Sequence, residues 1–322
     1  MAKTRNRTAD LAAYLAIRCV VCVIQAVPPV IAFWLADRFA WLLYRFIPSR
    51  RQVALENLAA AFPELAADPV AGDRLVRAMY RHFLRAVVEE VLLSRKLHLA
   101  NWRAFVDMYP SVAMPAVLLS PRPTLIATAH FGNWEMAGFA MGAMGFKTYA
   151  IARVLDNPHL ERFVLRLRQS TGQTIIAKKD DFERLTDVLT QGGKVATLVD
   201  QDAGPRGVFV DFFGRPASTH KAVALMALKF DAVIVVVGVP RVSRAGRAAA
   251  VPPAGMEPTF YAVETADTID PREYAERPDA VKAITARYTA ALERLIRRHP
   301  EQYFWLHRRW KHQPKAKAKQ AA

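Results

Sequence analysis

Apolar positions along the chain change their spacing twice. From residue 19 to 36 the run "CVVCVIQAVPPVIAFWLA" is almost wholly apolar. It is near the lower length limit for a bilayer-crossing helix, and Pro28 and Pro29 break it midway while Gln25 adds a polar cost. The stretches "RQVALENLAAAFPEL" and "AGDRLVRAMYRHFLRAVVEEVLLSRK" then repeat apolar residues every three or four positions, which predicts helix over about residues 50–98. Beyond them, short β-rich runs at 125–129, 148–152, 195–199 and 232–239 alternate with helical patterns at 133–144, 158–170, 181–190 and 219–230. "PTFYAVETA" predicts a further, late strand, and a long helix follows over about 278–299. Such alternation predicts an α/β fold: a mixed, largely parallel central sheet flanked by helices, preceded by an N-terminal hydrophobic membrane-anchoring helical segment. The expected division is 1–48 for the anchor and its flanks, 49–312 for one catalytic domain, and 313–322 for a basic, disordered tail.

The flank of the apolar run strengthens the membrane reading over that of a buried core helix. Trp34, Trp41 and Tyr44, with Arg38, Arg45, Arg50 and Arg51, have the composition of interface anchors. A cleaved signal peptide fits less well, because no clean small-residue site follows. Basic residues on both sides, including Lys3, Arg5, Arg7 and Arg18, leave the orientation open.

The charge balance narrows the partners. With 45 Lys and Arg against 29 Asp and Glu among 322 residues, the net charge is +16, which favours anionic partners. No recognised nucleic-acid module accompanies it, so nucleic acid is not expected. Cys19 and Cys22 have C-x-x-C spacing but lie within the apolar run without a second pair, and read as small hydrophobes. Eight histidines are scattered without metal-ligand spacing, so neither a metal nor a cofactor is expected. The nucleophile elbow, the Walker loop, the dinucleotide fingerprint and the H-E-x-x-H helix are all missing.

Candidate chemistry concentrates in "TLIATAHFGNWEMAG". His130 ends the first predicted strand, where open α/β sheets place their ligands. Gly132 permits a tight turn, Asn133 is a good helix N-cap, and Glu135 falls in the first helical turn. With the break at Gly132, Glu135 can fold back onto the imidazole and fix one ring nitrogen while the other takes a proton from substrate. A partly buried histidine beside an ordinary helix-start acid is the alternative.

"HFGNWE" is an H-x4-E form of the H-x4-D/E motif of glycerolipid acyltransferases, and further stretches follow in order: "RVLDNPHLER", "LVDQDAG", "VDFFGRPASTH" and "FWLHRRWK". The chain thereby resembles the late, secondary acyltransferases of lipid A biosynthesis, from about residue 14 to 312. The resemblance implies transfer of a fatty acyl chain from an acyl thioester to a hydroxyl of a lipid A precursor or similar anionic glycolipid. The donor would be acyl carrier protein or acyl-CoA, and the place the bacterial inner membrane, with the catalytic domain on its cytoplasmic face. His130 is then the expected general base, Glu135 its orienting acid and Arg153 the expected oxyanion donor, against the plainer reading of a surface arginine paired with Asp156. Asn133, Asp200 and Gln201 are expected to contact substrate, with helix capping and turn formation as competing roles for Asn133 and Asp200. Arg308, Arg309 and Lys311 are open between phosphate binding and solvated charge. A phospholipid or other glycolipid acyltransferase, and a non-catalytic basic lipid-binding protein, are the other functional readings.

Overall fold

A computed structural model describes residues 6–108, 113–170, 172–178, 181–245, 252, 254–256 and 259–314. The basic tail from residue 315 and the first five residues lie outside the described residues. The N-terminal third is helical: α1 (Arg7–Ala26), α2 (Pro29–Phe46), α3 (Pro48–Ala61), α4 (Pro63–Ala67) and α5 (Pro69–Lys96). The apolar run is therefore two helices, separated at Val27 and Pro28, and the first begins well before residue 19. Proline opens α2 through α5 at the first helical position, where a missing amide hydrogen costs nothing.

After β1 (Val106–Asp107) and α6 (Ala113–Leu119) the chain alternates: β2 (Thr124–Thr128), α7 (Trp134–Ala143), β3 (Thr148–Ala152), α8 (Pro158–Arg168), β4 (Thr174–Ala177), α9 (Phe182–Thr190) and β5 (Lys194–Leu198). A hairpin of β6 (Val208–Phe212) and β7 (Arg215–Thr219) follows, then α10 (Ala222–Phe230), β8 (Val233–Gly238), β9 (Tyr261–Ala262), β10 (Glu264–Ile269) and α11 (Ala280–Arg298). The main sheet runs β10-β8-β2-β5-β3-β4, with only β10 antiparallel. This is the mixed, largely parallel sheet that the strand–helix alternation predicts. The late strand "PTFYAVETA" divides into β9, which pairs with β1, and β10 at the sheet edge.

Two cores sandwich the sheet, and strand alternation assigns each residue to one of them. Leu125, Ala127, Ile234 and Val236 face the core shared with α10 and α11. Ile126, Val235 and Val237 face the core shared with α2, α5 and α7. Every residue of β2 is buried, as expected of a central parallel strand covered on both faces. Ala32, Phe33 and Ala36 of α2 belong to the second core, so α2 is built into the fold by its inner face. Tyr44, expected at a membrane interface, is buried instead: its hydroxyl bonds Asp73, and the Arg51 and Arg77 guanidinium groups cover its ring.

Candidate active site

Register brings the site together. β2 and β5 pair in parallel from Thr124↔Lys194 to Thr128↔Leu198, and Val199 N–H continues the ladder to the Thr128 carbonyl. One step further along, the same offset sets His130 beside Asp200 at the carboxyl edge of the sheet. The His130 backbone N–H donates to Asp200 Oδ2 (3.1 Å), and Nδ1–H donates to Asp200 Oδ1 (2.9 Å). Because a carboxylate only accepts, this fixes the proton on Nδ1 and leaves Nε2 as the basic nitrogen. The Tyr303 hydroxyl, also buried, donates to the same carboxylate.

The electrostatics follow from this pairing. Burial works against the imidazolium, but the charge and hydrogen bond of Asp200, helped by the charge of Glu135, outweigh it and raise the His130 pKa above its ordinary 6.5. Burial likewise opposes the Asp200 carboxylate, yet the His130 charge and its two hydrogen bonds hold that group below its ordinary value.

The turn that carries His130 is clamped by backbone on three sides. Gly132 N–H donates to Gln302 O (2.9 Å), Asn133 N–H to Val239 O (2.9 Å), and Phe304 N–H to His130 O (3.0 Å). His82 Nε2–H donates to Gly132 O (3.1 Å), and burial, with the Arg241 charge acting the same way, pushes His82 down to about 3, so it stays neutral. Gly132 has φ +63°, and a Cβ there would lie 1.9 Å from the Val239 carbonyl oxygen. Gly132→Ala is therefore expected to destabilise the protein by roughly 2–5 kcal/mol, adding left-handed backbone strain to overpacking against a rigid carbonyl. Chemical denaturation of the purified protein in detergent checks this; an unchanged midpoint would contradict it.

Asn133 caps α7: its Oδ1 accepts from Met136 N–H (3.1 Å), and its amide lies against the Tyr261 hydroxyl. The capping role expected for it is thus occupied, and the side chain is 1% exposed. Gln201 is half-buried directly after Asp200.

Glu135 does not turn back onto His130. Its Oε1 accepts from Arg168 at the end of α8, 2.9 Å from Nε and 2.7 Å from Nη2. Asn133 already starts the helix, so the Glu135 side chain follows the helical path round to α8, and Asp200 holds the position on the imidazole expected for Glu135. Arg153 is also placed differently from the oxyanion role: its side chain is 77% exposed and pairs with Asp156 at 3.2 Å. Arg309, a candidate phosphate ligand, is 2% exposed and donates to Ser218 O and Thr219 Oγ1 (2.6 Å each), which locks β7. In the same segment His307 Nε2 accepts from Asp202 N–H, while Phe304 and Leu306 face the cleft.

A cleft of about 530 Å³ opens onto His130. One wall is apolar, formed from α2 and α5 by Leu43, Met79, Phe83, Leu84 and Val87. Its polar end gathers His130, Asn133, Glu135, Arg168 and Glu90. Burial in that wall, with the Glu135 charge adding to it, pushes the Glu90 carboxyl well above its ordinary value and favours its neutral form. The arrangement offers a base beside an apolar trough, with a guanidinium in the same chamber: it suits a long acyl chain whose carbonyl reacts at the polar end. Among the described residues, no cluster of three or more His, Cys, Asp or Glu side chains is arranged for a metal ion.

Residues 3–312 match the family of bacterial lipid A biosynthesis acyltransferases. The chain belongs to that family. As one of its acyltransferases it is similar to the lipid A biosynthesis palmitoleoyltransferase of Escherichia coli strain K12, 24% identical over 299 residues, covering 90% of this chain and 88% of that one. It is also similar to the lauroyltransferase of the same strain, 25% identical over 308 residues and covering 94% and 92%. Among solved structures, a 1-acyl-sn-glycerophosphate acyltransferase from Thermotoga maritima aligns over 83% of this chain and 98% of its own, with 12% identity and a TM-score of 0.36. For a lipid A biosynthesis acyltransferase, the residues that sequence reasoning passed over in this site are Arg168, Tyr303, Glu90 and His82. Arg168 carried the one usable signal, a second arginine after "FVLRL" at the end of a helix that starts in a motif segment.

Proposed function

We propose that this acyltransferase moves a fatty acyl chain from an acyl thioester to a hydroxyl of a lipid A precursor at the cytoplasmic face of the inner membrane. The observation that carries the mechanism is the His130 ring, held through Nδ1 by Asp200 at the polar end of an apolar cleft. Nε2 takes the proton of the acceptor hydroxyl as its oxygen attacks the thioester carbonyl carbon. The tetrahedral intermediate then expels the thiolate by breaking the C–S bond, and the imidazolium returns its proton to sulfur. Asp200 stabilises the imidazolium between the two transfers. Arg168, braced by Glu135, supplies positive charge in the chamber where the oxyanion develops. The nucleophile is the acceptor's own hydroxyl, consistent with the missing serine and cysteine motifs. Membrane attachment through α1 and α2 is part of the proposal, supported by their many exposed apolar side chains.

Mass spectrometry of total lipids, with and without the expressed protein, tests this reading. The expected result is one added acyl mass confined to lipid A species. An added acyl mass on glycerophospholipid alone would overturn the acceptor assignment, and an unchanged lipid profile with folded protein present would overturn the reaction. With purified components, acyl carrier protein and acyl-CoA thioesters compared side by side identify the donor.

A further inference from the structure

Helix α1 is tied to the domain along most of its length, by a stripe that is mainly polar but includes the buried Val21. The Asp10 carbonyl accepts from Asn157 Nδ2 at 2.7 Å, and the Tyr14 ring lies 5.6 Å from that of His159. The Arg18 guanidinium covers Phe163 at 4.8 Å, and in the last turn Gln25 Nε2 donates to Val91 O at 3.3 Å. These positions form one helical stripe that runs about 22 Å along the axis. Round the rest of the circumference Leu11, Leu15, Ile17, Val20 and Val23 are each between 42% and 59% exposed. Apart from the buried Val21, the inward stripe is polar and most of the outer surface is apolar.

By length and composition α1 can cross a bilayer. To cross, however, its 20 residues would all have to lie at membrane depth, and its contacts would draw α8 in alongside. Exposed Arg162 and Arg166 of α8 would then sit in hydrocarbon, where ionised side chains are strongly disfavoured. These two arginines instead border a groove of about 460 Å³ between α1 and α8, completed by Tyr14, His159 and Leu165. Glu161, the acid nearest in sequence, is engaged by the Leu155 amide.

Resting on the membrane attachment proposed above, we infer that α1 lies in the plane of one leaflet rather than crossing it. Its exposed apolar surface enters the acyl region, and the phosphodiester of an anionic phospholipid occupies the groove at Arg162 and Arg166. A basic groove flanked by an exposed apolar helix surface fits a headgroup above acyl chains, and the net charge of +16 agrees.

Sidedness tests the topology. In a Cys19→Ser/Cys22→Ser background, single cysteines at Thr8→Cys and Glu276→Cys are labelled with an impermeant maleimide in sealed vesicles of known orientation. Both are expected to react from the same face; reaction from opposite faces would overturn the inference while leaving membrane attachment intact. Protein in the supernatant rather than with the vesicles would instead overturn the attachment itself. For the groove, Arg162→Gln/Arg166→Gln should bind phosphatidylglycerol vesicles more weakly, by about fivefold per arginine, with binding to phosphatidylcholine unchanged. Unchanged binding to phosphatidylglycerol, or a loss seen only as a raised KM for acyl carrier protein, would overturn the headgroup assignment, the latter in favour of donor docking.

Discussion

Replacing His130 by alanine is expected to lower turnover by roughly 10²–10⁴-fold, the usual cost of losing a general base. The fold should survive. The His130 N–H and C=O bonds, to Asp200 Oδ2 and from Phe304 N–H, belong to the backbone and persist in the alanine variant. Asp200 keeps that N–H and the Tyr303 hydroxyl, so its buried carboxylate is not orphaned. Circular dichroism and single-turnover acyl transfer on the same preparation check both halves; a variant retaining more than half of wild-type turnover would remove His130 from the mechanism.

Asp200→Asn should be nearly as severe, for a different reason. The asparagine oxygen remains the natural partner of the His130 backbone N–H, which turns the amide NH2 toward Nδ1. An amide donor there requires Nδ1 to accept, and the ring proton moves to Nε2. The nitrogen facing substrate then has no lone pair to offer. A comparable amide exchange in the serine-protease triad costs about 10⁴-fold in turnover, so a fall of roughly 10²–10⁴-fold is expected, with KM for the acceptor changed much less. Steady-state kinetics at saturating donor read the split; a variant that raises KM and keeps kcat would make Asp200 a substrate ligand rather than an orienting acid.

Much of the architecture is legible in the chain because short apolar β-rich runs and helical spacing differ in period. The strand at 148–152 and the break at Pro28 follow directly from residue type. The β6–β7 hairpin was hidden within a motif segment, since "VFVDFFGRPAST" mixes apolar and polar residues without clean alternation. In the site, His130 and Asp200 each read as strand-end residues. Their pairing was not legible, because it depends on β2 and β5 being neighbours in the sheet although three helices and two strands separate them in sequence. Sequence proximity instead favoured Glu135, five residues from His130. The Asn133 cap explains why that proximity misleads: it starts a regular helix before Glu135, and the helix directs the carboxylate to Arg168. Arg168 carries a signal only in its place at the end of a helix that starts in a motif segment, and there it also resembles a cation placed at a helix C-terminus for the dipole.

Whether Asp200 orients and charges His130 can be read from the pH dependence of kcat/KM for three proteins: the wild type, Asp200→Asn and Glu135→Gln. Only neutral imidazole can accept the proton, so activity rises with pH through the His130 pKa. In the wild type that acid limb should have its midpoint above 6.5, because Asp200 stabilises the imidazolium. Removing the charge in Asp200→Asn should move the limb to lower pH, whereas Glu135→Gln, which removes the weakest of the raising influences, should shift it much less. A limb that stays in place in Asp200→Asn, or moves further in Glu135→Gln, would mean that Asp200 does not charge the imidazole.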